Sequence, residues 1–231
     1  MASNYKPVFF DMETTGFNPT VPSWYSNSQA ARVTAVSIGE IIDWTEDGDK
    51  RSMYTVANDG GMEYETIEKA RDALLKIESD YADNGWEPFL VGHNIIKFDV
   101  MYWAARAARY RIDPNPVGGG WRRLDTLRAL TIPADAEQGS SRYPGQQDYA
   151  DYLGLDYKDE LDGSDMPEAF KNGDYAKIKA HVEDDVSTLM DIFMLEREDM
   201  VEELWGHYDD GHEDEIDEPE PVFNESVNID L

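Results

Sequence analysis

One octamer near the N-terminus, Phe9-Phe10-Asp11-Met12-Glu13-Thr14-Thr15-Gly16, constrains the fold of this chain more than any other segment. The apolar run from Val8 to Phe10 that leads into it is typical of a buried strand. Asp11 and Glu13 are two residues apart, which places both carboxylates on the same face of a strand. Such a pair is repulsive unless a cation lies between the two groups, and Mg²⁺ prefers oxygen ligands of this kind. Two interpretations stay open at this point: a divalent-metal site, or a strand that ends in solvated acids.

Length and composition favour one ordinary intracellular domain. The 231 residues suffice for a full hydrophobic core, and the absence of cysteine excludes disulfides and thiolate metal ligands. The sequence shows no apolar run of membrane-spanning length and no signal-peptide pattern, so we expect a cytoplasmic protein that does not bind membranes. A formal net charge of −29 favours a halophilic protein from a high-salt cytoplasm, or an acidic protein from a virus-infected prokaryotic host.

The acidic residues are densest at the C-terminus. From Glu202 onward the sequence contains no lysine or arginine. We therefore divide the chain into a folded domain, residues 1–205, and an acidic tail, residues 206–231, which we expect to be disordered. A few apolar residues in the tail offer anchors for a replication or repair protein, or for a contact that mimics DNA: Ile216, Val222, Phe223, Ile229 and Leu231.

Hydrophobic periodicity predicts an α/β layer architecture, with a mixed sheet flanked by helices. An antiparallel meander is expected from the N-terminal octamer and from strands at residues 32–42 and 51–57. A further short strand is expected at 89–92, and a strand that turns into a helix at 122–130. The longer helices are predicted at 64–81, 94–110 and 174–198, and short ones at 149–153 and 166–170.

Two more segments present acids in a suggestive context. Asp99 lies in the first turn of the helix predicted at 94–110, where the helix dipole favours an anion. His181 and Asp185 are four residues apart, so they share one face of the last long helix. Each feature also has a structural interpretation, since acids are common at helix starts and on solvated helix faces.

Taken together, three motifs resemble those of the DnaQ-like (DEDD) 3′–5′ exonucleases, most closely the group related to the proofreading domains of family B polymerases. The motifs are Phe10-Asp11-Met12-Glu13-Thr14-Thr15-Gly16, Gly92-His93-Asn94-Ile95-Ile96-Lys97-Phe98-Asp99, and His181 with Asp185-Val186 and Leu189. Two further stretches fit the same group, Leu124-Asp125-Thr126-Leu127 and Leu153-Gly154-Leu155-Asp156-Tyr157-Lys158. The resemblance covers residues 7–195.

The resemblance implies a ribonuclease-H-like fold and hydrolysis of phosphodiester bonds at DNA 3′ ends, with release of nucleoside monophosphates. It also implies two Mg²⁺ or Mn²⁺ ions, because a pair of metals about 3.5–4 Å apart stabilises both the attacking and the leaving oxygen. The residues that it assigns as catalytic metal ligands are Asp11, Glu13, Asp99 and Asp185. The residues that it assigns to contacts with the substrate are Met12, Thr14, Thr15, Phe17, Asn94 and Phe98.

The third motif departs from the family pattern. Members with a histidine usually place it five residues before the last aspartate, and members with a tyrosine place theirs four before. Here His181 lies four before Asp185, a histidine at the tyrosine spacing. We expect His181 to be a catalytic general base, because an imidazole pKa of about 6.5 suits that task. The alternative is a histidine that packs beside the site without taking part in the chemistry.

The expected substrate is a single-stranded or frayed DNA 3′ end. The charge balance reverses between residues 94 and 128, and this basic strip would guide phosphates despite the acidic body. Its members are Lys97, Arg106, Arg109, Arg111, Arg122, Arg123 and Arg128. Two alternatives stay open: an exoribonuclease that acts on short RNA, and a catalytically silent binding subunit that keeps the exonuclease fold.

Overall fold

The computed structural model describes the backbone of residues 4–16, 31–45, 48–130, 144–156, 161 and 163–209. It also describes their side chains, except at residues 44–45, 48–49, 197–199 and 201–209. Phe17 and residues 210–231, which include most of the acidic tail, lie outside the described residues.

Five strands form one mixed sheet in the order β3-β2-β1-β4-β5. The strands are β1 (Tyr5–Thr14), β2 (Val33–Thr45), β3 (Gly48–Ala57), β4 (Glu87–Gly92) and β5 (Arg122–Asp125). The first three form an antiparallel meander, and β4 and β5 extend the sheet in parallel with β1. The predicted α/β architecture is therefore confirmed, with the octamer strand at the centre of the sheet.

Six helices flank this sheet within the described residues. They are α1 (Glu63–Asp83), α2 (Asp99–Tyr110), α3 (Thr126–Ala129), α4 (Gln146–Leu153), α5 (Met166–Asn172) and α6 (Tyr175–Asp209). A short 3₁₀ turn, Gly163–Asp165, leads into α5. In the part of the chain that the structure describes, no helix combines the length and the apolar character needed to cross a membrane.

Two helix boundaries differ from the prediction. Helix α2 begins at Asp99 rather than near Asn94, because residues 93–98 form a bend and turns in which Asn94 has a φ of 57°. This left-handed backbone is compatible with asparagine but interrupts a right-handed helix. Helix α6 continues to Asp209, beyond the expected end at residue 198, so the boundary at residue 205 falls within a helix.

Alternate side chains of β1 enter two different apolar layers. Phe10 packs toward α1 and α2, and its ring lies edge-on to Trp103 with a centroid distance of 5.8 Å. Phe9 points to the opposite face, where its ring centroid lies 5.3 Å from that of Phe193 on α6. Because residues two apart in a strand share a face, the acids at positions 11 and 13 are directed toward α6.

A buried ion pair ties α1 to α2. Glu63, at the start of α1, accepts hydrogen bonds from Arg106 Nε–H at 2.7 Å and from the Val33 N–H at 2.8 Å. Arg106 Nη2 and the Tyr110 hydroxyl donate to the second oxygen of the same carboxylate. Glu63 and Arg106 are both less than 5% exposed. Arg106 is therefore unavailable to phosphates, and its place in the basic strip was wrong.

Candidate active site

The acidic end of β1 projects beyond its parallel neighbour. The pairing of β1 with β4 ends at Phe9 and Val91, whereas its pairing with β2 continues through Asp11 and Glu13. Clefts at the carboxyl ends of parallel strands are the usual ligand sites of α/β sheets. Asp11 and Glu13 thus emerge on one face at the edge of such a cleft, as their spacing predicts.

Helix α6 approaches this end of the sheet closely because β2 carries a glycine beneath it. A Cβ added at Gly39 would lie 2.8 Å from Val186 Cγ1 and would collide with the methyl group of Met190. A larger residue at this position would therefore force the Met190 side chain to move and would crowd Val186 of α6. One turn of α6 is also fixed from the side, since Gln146 Nε2–H on α4 donates to the backbone oxygen of Asp185 at 2.7 Å.

The close approach brings His181 of α6 into the carboxylate cluster. His181 Nε2 lies 3.0 Å from Glu13 Oε1 and 3.4 Å from Asp185 Oδ2. One ligand atom from each of the three residues lies within 4.8 Å of the other two, and His181 is buried. The predicted third motif therefore meets the first motif across the helix–sheet interface.

Asp11 and Asp99 interact electrostatically with the residues of this cluster. Burial raises the pKa of Asp11 well above its ordinary value, and the charges of Asp99, Asp185 and Glu13 raise it further, while His181 lowers it. Burial also raises the pKa of Asp99, with contributions from Glu13 and Asp125, against backbone hydrogen bonds that lower it. All four predicted acids thus act on one another through space, which their separation in the sequence does not show.

This donor set fits divalent cations that take oxygen ligands. Asp11 Oδ2 and Asp99 Oδ1 are buried and have no hydrogen-bond partner among the described residues. A buried carboxylate oxygen without a donor is costly unless a cation compensates its charge. Mg²⁺ and Mn²⁺ are the ions that carboxylate sites favour, and they would be held by Asp11, Glu13, Asp99 and Asp185.

Asp125 supports the site in a way that the sequence analysis missed. It is buried, and its carboxylate accepts the Leu127 N–H at 3.2 Å as the N-cap of α3. Its other oxygen accepts the Ile96 N–H at 3.2 Å, which fixes the turn that leads into Asp99. An aspartate just before a short helix signals an N-cap in any sequence, but the contact with Ile96 is long-range and leaves no local signal.

The described residues assigned to substrate contacts are neighbours in sequence of the cluster residues Asp11, Glu13 and Asp99. The Met12 side chain is buried in the apolar layer beneath α1 and α2. Thr14 Oγ1 accepts the Gly16 N–H at 3.3 Å, and Thr15 Oγ1 accepts the Arg32 N–H at 2.9 Å. Asn94 occupies the left-handed turn, and the half-buried ring of Phe98 lies 4.9 Å from that of Tyr102. Their roles toward a substrate, like that of Phe17, stay predictions.

No protein-family model matches the sequence, and no curated protein matches it. By structure, the chain matches the family B DNA polymerase from the hyperthermophilic archaeon Pyrobaculum calidifontis with a TM-score of 0.58 and 15% identity. The chain has a ribonuclease-H-like fold. The match covers 83% of this chain and 24% of the polymerase, so it confirms the expected fold and leaves the activity to be argued from the site.

Structures of exonuclease I also match, at lower TM-scores. The complex with inhibitor BCBP matches with a TM-score of 0.49 and 14% identity, over 88% of this chain and 44% of that protein. Escherichia coli exonuclease I with a dT13 oligonucleotide matches with a TM-score of 0.45 and 12% identity, over 90% and 43%. The chain thus spans less than half the length of each of these proteins.

Proposed function

We propose that this protein is a metal-dependent 3′–5′ exonuclease that hydrolyses phosphodiester bonds at DNA 3′ ends and releases nucleoside monophosphates. One observation carries the proposal: acids from β1, α2 and α6 converge with His181 at one end of a ribonuclease-H-like sheet. The three sequence motifs that resemble DnaQ-like exonucleases supply these same residues. A cluster of costly buried acids has no evident structural purpose, which argues against a silent binding subunit.

Within this proposal each residue has a physical task. Two Mg²⁺ or Mn²⁺ ions would supply charge stabilisation for the attacking and leaving oxygens of an in-line displacement. Asp11 would be one ligand of these ions, because its buried carboxyl interacts electrostatically with Asp99, Asp185 and Glu13. Backbone and side chains around Thr14 and Asn94 would orient the terminal nucleotide. His181 Nε2 lies 3.0 Å from Glu13 Oε1, and two roles are compatible with this position: the predicted general base, or a ligand of the metal itself.

Substrate and partners follow from the same reasoning. We propose single-stranded or frayed DNA as the substrate, since the cleft must take one strand end across the tip of β1. We also propose that the acidic tail, residues 206–231, docks onto a replication or repair protein through its few apolar residues. Removal of residues 209–231 should then weaken binding of that partner while digestion of free oligonucleotides is unchanged.

Digestion of labelled oligonucleotides tests the activity. Single-stranded DNA and RNA of one sequence, labelled at the 5′ end, would be incubated with Mg²⁺ or Mn²⁺ from low to molar KCl. We expect stepwise shortening of DNA from the 3′ end, with mononucleotide products, no reaction in EDTA, and none with Asp11→Ala. Glu68→Gln, which changes an exposed acid on α1, is the matched control and should digest normally.

Other results of this assay would support a different function. Faster digestion of RNA would make the protein an exoribonuclease, and internal cleavage would refute the exonuclease assignment. Inactivity of the folded protein in every metal and salt, together with retained binding of oligonucleotides, would favour the binding subunit.

A further inference from the structure

We propose that His181 is itself a metal ligand, and that Glu13, His181 and Asp185 form a site with one nitrogen and two carboxylates that prefers Mn²⁺ to Mg²⁺. The inference rests on the proposed function for the presence of a metal, but it is tested without any nucleic acid. It departs from a base role for His181, since it places the imidazole on the cation rather than on the attacking water.

The interatomic distances fit a shared cation. In an octahedral complex with metal–ligand distances of about 2.1 Å, adjacent ligand atoms lie about 3.0 Å apart. His181 Nε2 is 3.0 Å from Glu13 Oε1, which matches this separation, and 3.4 Å from Asp185 Oδ2, which is a few tenths of an ångström longer. A small side-chain movement would therefore let all three atoms bind one metal ion.

The direction of the imidazole supports the same assignment. Nε2 faces two carboxylate oxygens, and an ionised carboxylate only accepts hydrogen bonds. A neutral imidazole has one N–H, so Nε2 donates to at most one of them, whereas a cation in the middle attracts all three atoms. A general base instead needs its acceptor nitrogen directed at the water that it deprotonates.

The helix spacing explains why this chain places a nitrogen there. At a separation of four residues, His181 and Asp185 project from the same face of α6, and Gly39 lets that face approach β1. The short imidazole therefore ends at the level of the carboxylates. The tyrosine that the resemblance would place at this position is longer and offers a hydroxyl rather than a nitrogen.

The donor set determines the metal preference. Carboxylates and water suit Mg²⁺ and Mn²⁺ alike, but an imidazole ligand suits transition metals, and affinity at a nitrogen-containing site rises along the first-row series. Mg²⁺ binds imidazole poorly by comparison and keeps water in its place. We therefore expect Mn²⁺ to bind the site more tightly than Mg²⁺ does, and the difference to depend on His181.

Pulsed electron paramagnetic resonance tests the ligation directly. The 231-residue protein, loaded with one equivalent of Mn²⁺, should show ¹⁴N modulation from a coordinated imidazole. The modulation should vanish in His181→Gln and persist in His93→Gln, whose ring nitrogen contacts Thr126 Oγ1 at 2.9 Å instead of the cluster. A wild-type spectrum of bound Mn²⁺ without nitrogen coupling would overturn the inference, and this result does not depend on any variant.

Calorimetry provides the second measurement. His181→Gln should lower the affinity for Mn²⁺ by about tenfold or more, while Mg²⁺ affinity changes far less. An equal loss for both ions would refute a nitrogen ligand. Nitrogen-coupled Mn²⁺ in a protein that digests nothing would remove the exonuclease proposal and keep this one, whereas digestion without nitrogen coupling would do the reverse.

Discussion

Replacement of Asp11 by asparagine should stabilise the metal-free protein while it abolishes the proposed activity. Asp11 Oδ2 is buried without a hydrogen-bond partner among the described residues, and burial, together with the charges of three further acids, raises the pKa of its carboxyl. An asparagine has almost the same shape, carries no charge, and has an amide N–H that can donate to a neighbouring carboxylate. Function, rather than stability, would then be the reason for an aspartate at this position.

The size of the effect follows from the cost of an uncompensated buried acceptor, about 1–3 kcal/mol. We expect Asp11→Asn to raise the free energy of unfolding of the metal-free protein by about 2 kcal/mol at neutral pH. In a domain of this size the melting temperature should then rise by about 4–8 °C. Saturating Mn²⁺ should stabilise the wild type more than the variant, because Asp11→Asn removes one proposed carboxylate ligand while Glu13, His181 and Asp185 remain.

The pH dependence has a defined sign. The folded-state pKa of Asp11 is raised above the unfolded value of about 3.9, so its contribution to stability is present below that value. This contribution is lost as the pH rises through the folded-state pKa, when the buried carboxyl must ionise. The advantage of Asp11→Asn over the wild type should therefore be largest at neutral pH and should shrink as the solution is acidified.

Thermal and chemical unfolding in EDTA at several pH values measure this. Glu68→Gln is the control, because it removes one exposed negative charge from a chain with a net charge of −29 and reports any general relief of repulsion. A loss of stability in Asp11→Asn, or a gain equal to that of Glu68→Gln, would refute the reasoning.

Three further changes test the scaffold around the site. Arg106→Met should lower the free energy of unfolding by about 3–5 kcal/mol in urea titrations, because Glu63 stays buried without its counter-ion; full stability would contradict the buried pair. Gly39→Ala should lower the free energy of unfolding by about 1–3 kcal/mol, since the added methyl group collides with Met190. It should also lower metal affinity if α6 moves outward, and unchanged metal affinity would contradict a link between Gly39 and the site. Asp125→Ala should lower the free energy of unfolding by about 1 kcal/mol or more, because the helix cap is lost. Amide hydrogen exchange should also become faster in residues 93–98, whereas an increase confined to α3 would limit the role of Asp125 to the cap.

Much of the fold could be predicted because its signals are local. The apolar run into the octamer, the alternation in residues 32–42 and the helical period of residues 64–81 each specify one element without reference to the rest. The start of α2 was misplaced because the left-handed turn at Asn94 has no strong sequence signature, and the helix period continues through the turn. The end of α6 was placed too early because rising acidity resembles loss of structure, yet the helix continues to Asp209.

In the candidate site, too, the features with local signals could be predicted and the long-range ones could not. The i, i+2 and i, i+4 spacings specify which side chains share a face, so the pairs Asp11 with Glu13 and His181 with Asp185 could be predicted. The spacings give no information on the distance between the two faces. That distance depends on Gly39, which lies on a different strand. The hydrogen bond from Gln146 to Asp185 likewise joins two helices that no periodicity relates.

The structure also changes how a nucleic acid would be attracted to so acidic a chain. Of the predicted basic strip, Arg106 neutralises Glu63 in the core, and Arg123 Nη2 donates to the backbone oxygen of Val117 at 3.0 Å. The Arg122 guanidinium stacks over Tyr5 at 5.3 Å from its ring centroid. Several arginines of the strip thus have structural partners. A locally basic surface therefore explains the attraction of nucleic-acid phosphates poorly. Cations in the carboxylate cluster offer a stronger explanation, since two divalent ions would cancel the four negative charges of the cluster and offer open coordination positions to the phosphate of the proposed substrate. In that case the same ions that activate the reaction would also make binding possible, and metal and nucleic acid would bind cooperatively.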